Sequence, residues 1–190
     1  MIFYWRGKLE LGDPLLTAFW EKGGDVLRAH ALSFVGRALQ QTSAPIPNEV
    51  LDRLIRLWEA RLSAAKEVPA NHEKEMAAFG WWFVSGKFDA EWVIAQLAEA
   101  LQIVGKAEPD HMVVEKLAEI VDTYPLEAVK SLKVIVEGDR EGWGIYGWRE
   151  YARNILTVAL QDVTAKQKAE DLIQYLGSRG YLEFRDLLHE

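Results

Sequence analysis

Residues 110–136 read DHMVVEKLAEIVDTYPLEAVKSLKVIV. Val113, Val114, Leu117, Ile120 and Val121 recur three and four apart, and after Tyr124-Pro125 the same period resumes with Val129, Leu132, Ile135 and Val136. That spacing lines one face of a helix with apolar side chains. Proline directly after the break suits the first turn of the second helix, where no N–H is needed. The stretch is therefore two amphipathic helices joined by a short turn.

Moving outward, the pattern repeats. Asp89 can cap a helix with Ile94, Leu97, Leu101 and Val104 inward, closed by Gly105. Before it, a helix runs from about His72 through Trp82 and stops near Gly86. Asn48 opens another with Val50, Leu51, Leu54, Ile55, Trp58 and Leu62 as its stripe and Arg53, Arg56, Glu59 and Arg61 off it. TSAPIP (42–47) is a linker. Asp25 starts a helix carrying Leu27, Ala31, Phe34, Val35 and Ala38 on one face, and Asp13-Pro14 starts a short one with Leu15, Leu16, Phe19 and Trp20. Toward the C-terminus, GDREGWGIYG (138–147) is a glycine-rich loop, followed by helices around Trp148–Ala159 and Ala169–Leu176 and a last short one in YLEFRDLL. No stretch alternates with the period of two that a half-buried strand requires.

The fold class expected is all-α: a solenoid-like stack of antiparallel helix pairs, with 89–124 and 125–160 as two such pairs, or alternatively an irregular helical bundle. Residues 1–190 are read as one helical domain with a weak division into 1–70 and 71–190. Ile2, Phe3, Tyr4 and Trp5 are too apolar to trail in water and are expected to dock on the first helices, or else to mark a chain cut from a longer one.

Composition narrows the function. A net charge of -7, with 22 Lys and Arg spread along the chain, gives nucleic acid no basic stripe to bind. The lack of cysteine removes disulfides, thiolate metal sites and cysteine nucleophiles. No apolar run reaches signal-peptide or bilayer-spanning length, so a cytoplasmic location and no membrane partner are expected. SGKF (85–88) is not a phosphate loop: five residues separate Gly80 from Gly86, and Phe88 stands where Ser or Thr would hold magnesium. The histidines at 30, 72, 111 and 189 have no partner at helical ligand spacing, so no metal and no cofactor are expected.

Aromatic residues carry the candidate site. Trp81 and Trp82 point about 100° apart on a helix, so one takes the centre of the inward face and the other its margin. In the glycine-rich loop, Trp143 and Tyr146 are candidate anchors beside Trp148, with Arg140 and Arg149 as charged partners. A tight inter-helix loop and a packed helix are the plain structural readings of the same residues. An enzymatic alternative would need a deep polar pocket holding Asp139, Glu141 or Glu150. A further alternative is a small apolar ligand between Trp81, Trp82 and Trp92.

FGWWFVSGKFDAEW (79–92), VEGDREGWGIYGWREYARNIL (136–156) and GYLEFRDLL (180–188) together resemble the helical C-terminal region of large bacterial proteins, several with nucleoside-triphosphatase or defence-associated modules upstream. The general layout resembles HEAT or armadillo repeats. The resemblance implies a non-catalytic sensing or interaction domain, with another protein or an upstream domain of the same polypeptide as its partner. It carries no catalytic residue over.

Overall fold

The computed structural model describes Tyr4, residues 7–139, Gly142 and residues 144–188. Among them the protein is all-α, with ten α-helices and no strand. The helices are α1 (Pro14–Lys22), α2 (Asp25–Gln41), α3 (Asn48–Glu67), α4 (Glu73–Ala78), α5 (Gly80–Val84), α6 (Ala90–Val104), α7 (Asp110–Ile120), α8 (Pro125–Gly138), α9 (Gly144–Gln161) and α10 (Lys166–Ser178). Short 3-10 turns span Pro69–Asn71 and Leu182–Leu188.

The boundaries follow from capping. Asp13 accepts from the N–H of Leu15 ahead of Pro14, and Asp89 accepts from that of Trp92. Gly105 closes α6 in the left-handed region, φ 72°.

Packing separates two compact units, Met1–Pro109 and Asp110–Glu190, and the division expected near residue 70 falls inside the first. In the second unit α7, α8, α9 and α10 each contact the next, and α7 also meets α9 while α8 meets α10. The first unit is less regular. α2 packs on α4 and α5, and α3 and α4 pack on α6.

The core of the first unit is aromatic. Trp58 stacks on Phe79 with ring centres 4.5 Å apart and meets the edges of Trp82, Phe88 and Trp92. Trp82 lies parallel to Phe88 and donates its indole N–H to the Leu32 carbonyl at 2.8 Å. Tyr4 is fully buried and donates to the Arg53 carbonyl at 2.6 Å, so this part of the N-terminal aromatic stretch docks on α3. Ile2, Phe3 and Trp5 lie outside the described residues.

Three expectations need correction, the first being that residues 144–147, read as the end of a glycine-rich loop, form the first turn of α9. The helix read from His72 through Trp82 is broken at Phe79 into α4 and α5. On α2 the inward face is Arg28, Ala29, Leu32, Val35, Gly36 and Leu39, whereas Leu27 and Phe34 point to solvent, 52% and 50% exposed. The rotation has a steric and an electrostatic cause. A Cβ on Gly36 would lie 2.5 Å from the Cβ of Trp81 and 2.8 Å from its backbone carbon, so only glycine lets α2 and α5 approach this closely. Arg28 turns inward to meet Glu75.

Gly36→Ala is accordingly expected to destabilise the protein. Overpacking against a backbone atom costs about 1–3 kcal/mol, which exceeds the roughly 1 kcal/mol of helix propensity gained. A urea titration should show the fall in unfolding midpoint; an unchanged or higher midpoint would contradict the close approach.

Candidate functional site

Behind the α2–α4 contact lies a charged cluster sealed from water. Glu75, on α4, is 0% exposed. Its Oε2 accepts from Arg28 Nε at 2.6 Å and its Oε1 from Arg61 Nε at 2.5 Å, while His72 Nδ1 lies 2.6 Å from Oε2 and must carry the proton there. Arg28 also donates to the carbonyls of Gly23 and Asn71. The Arg61 guanidinium sits 4.9 Å from the ring centre of Trp20 on α1, which covers the cluster. Burial by itself would raise the Glu75 pKa. The hydrogen bond and charge of Arg61, then the bonds from Arg28 and His72, outweigh it and hold the carboxyl below the ordinary glutamate value.

Asp25, at the start of α2, accepts from the backbone N–H groups of Lys74 and Glu75, both at 2.8 Å. It thereby caps α4 from another helix. The two elements run in the same direction: Asp25 lies beside Lys74, and Gly36 beside Trp81.

The walls so fixed enclose an open groove of about 380 Å³ on the outer side of the first unit. Val26, Ala29, His30, Ser33 and Arg37 come from α2, Lys74 from α4, Trp81 from α5 and Glu108 from the segment after α6. Arg37 bonds the Ser33 carbonyl and lays its guanidinium 5.3 Å from the Trp81 ring centre. Glu108 is held by its N–H to the Ala77 carbonyl, 2.9 Å. Among the described residues no carboxylate comes within 4.0 Å of Arg37 or Lys74, so the groove presents two cations, together with the Glu108 carboxylate, beside an indole wall. Outside it, α2 continues with the exposed Leu27 and Phe34, next to Val26 at 62% exposure.

The aromatic candidates separate. Trp82 is fully buried while Trp81 is half-buried at the groove, the arrangement that their 100° offset requires. Trp148 is buried with its indole N–H toward Asp110 Oδ2 at 3.4 Å, so it offers a partner no more surface than Trp82 does. Tyr146 is 60% exposed and packs edge-on against Tyr181. Arg149 is exposed, 3.7 Å from Glu150. Arg140, Glu141 and Trp143 lie outside the described residues.

The neighbouring backbone is tied down. Asp139 accepts from the N–H groups of Gly142 and Gly144, and the Gly142 carbonyl, from a residue at φ 74°, accepts from the Tyr181 hydroxyl at 2.7 Å. Both Asp139 oxygens are thus engaged with the chain itself.

Sequence reasoning missed His30, Arg37, Lys74 and Glu108 because nothing in their spacing brings them together. The available signal was the excess of apolar residues around α2: Val26, Leu27, Phe34 and Val35 cannot all face one way. No helix among the described residues is long and apolar enough to cross a membrane, and no group of three or more His, Asp or Glu there could hold a metal ion. Comparison with protein-family models, with curated proteins and with solved structures gave no match to this chain.

Proposed function

We propose that the chain is a non-catalytic protein-interaction domain that uses the α2 groove and its apolar flank. The observation that carries this reading is the groove itself: an indole and two cations with no carboxylate partner among the described residues, set beside exposed Val26, Leu27 and Phe34. Apolar residues grouped in this way on a helix face, rimmed by charge, characterise surfaces that are covered by a partner. The buried carboxylate of Glu75 accepts from Arg28, Arg61 and His72 and is closed to substrate, which supports binding over catalysis.

Site-specific photo-crosslinking tests the reading. A photoreactive phenylalanine at position 34, introduced into the full chain in its native cells, is expected to give a discrete polypeptide adduct. The same group at Val163, 93% exposed in the second unit, is the comparison and should give none. Equal yields at both positions would remove the support for α2 as a binding face.

A further inference from the structure

Resting on that reading, we infer that the groove takes a short extended segment of a partner protein with a carboxylate at each end and apolar residues between. Charge placement gives the pattern. Because α2 and α4–α5 run in the same direction, Lys74 lies at the Val26 end of the groove and Arg37, over Trp81, at the other. Neither cation has a carboxylate partner among the described residues.

Between them Glu108, anchored through Ala77, sets a negative charge against the middle of any occupant. An acidic residue there meets repulsion. An apolar one packs on exposed Val26 and on the half-buried Trp81 indole, with His30 and Ser33 lining the groove between them. From Val26 to Arg37 the helix rises about 16 Å at about 1.5 Å per residue. An extended strand covers that span in about five residues at about 3.3 Å each.

The occupant is a polypeptide more than a small anion, because the apolar surface continues past the groove onto Leu27 and Phe34. A small ligand in the groove would leave those two residues uncovered. Local sign also matters: a positive groove on a chain of net charge -7 draws an anionic segment to this face and disfavours it elsewhere.

The test is fluorescence anisotropy with a labelled hexapeptide, Asp-Leu-Val-Phe-Leu-Glu, its N-terminus carrying the dye and its C-terminus amidated, against the full chain. The acidic peptide is expected to bind at least tenfold more tightly than the same peptide with Asn and Gln at its ends, and to weaken as salt is raised. Arg37→Glu with Lys74→Glu should cost at least tenfold for the acidic peptide and create binding of the version with Lys at both ends, a gain that an unfolded chain cannot give.

Equal affinity of acid and amide peptides, or binding indifferent to salt, would overturn the inference without needing any variant. Displacement by a single-stranded decadeoxynucleotide at the peptide's own concentration would also overturn it, by showing general polyanion binding. If position 34 still forms its adduct when acid and amide peptides bind alike, only the charge pattern falls and the interaction reading stands. If the adduct is missing as well, both fall.

Discussion

Glu75→Ala is expected to cost about 3–5 kcal/mol of folding stability, because it leaves two buried guanidinium groups facing each other without their shared carboxylate. The loss is read from chemical denaturation followed by the tryptophan signal. The informative comparison is a triple replacement, Arg28→Met, Glu75→Leu and Arg61→Leu, which removes the charges together. Buried ion networks contribute little net stability over apolar packing of the same volume, so the triple variant should be far more stable than the single one. A single variant that unfolds like the unaltered protein would contradict the burial of the cluster.

The same group sets an acid response. Since the folded-state pKa of Glu75 is depressed, its contribution is fully present above the unfolded glutamate value of 4.5 and is lost as pH falls through the lower folded value. Unfolding midpoints measured between pH 7 and pH 3 should therefore decline at the acid end, and the decline should be shallower in the triple variant. Identical slopes would assign the acid sensitivity to other carboxylates.

The second large effect is at Trp58. It is fully buried and touches Phe79, Trp82, Phe88 and Trp92, so Trp58→Ala opens a cavity at the point where the aromatic core converges. A loss of about 3–5 kcal/mol is expected. Trp58→Phe should cost much less, since the indole nitrogen has no hydrogen-bond partner among the described residues to lose. Comparable losses in the two variants would place the weight on the indole edge instead of on the cavity. Differential scanning calorimetry of both, beside the unaltered chain, gives the comparison.

Helix type and helix ends were legible because they depend on local chemistry. Asp13, Asp89 and Gly105 act at the termini where their side chains or backbone freedom are needed, and the stripe of α7 and α8 faces inward as the period requires. The face of α2 was not legible. A purely hydrophobic reading turns Leu27 and Phe34 inward, but Arg28 is drawn in by a carboxylate 47 residues away and Gly36 by the bulk of Trp81. Arg61, read as lying off the α3 stripe, is buried for the same reason.

Long-range ion pairing and close backbone approach leave no periodic trace, and the groove is made by both. Of the residues named from sequence, Trp81 lines that groove, whereas Trp82 and Trp148 turned out to be interior. Tryptophan pairs announce packing more readily than they announce which ring stays outside.

The separation between α2 and its main partners bears on how the chain is made. Asp25, Arg28 and Leu32 find their bonding partners between 47 and 50 residues later, at Glu75 and Trp82. A nascent chain that has released α2 carries Leu32, Val35 and Leu39 unshielded until α5 emerges. At about 5–20 residues per second, the roughly forty residues still to come take about 2–8 s. During those seconds the first unit is a client for any holdase that grips an apolar helix, and a ribosome stalled before Val84 holds a segment with no interior to retreat into.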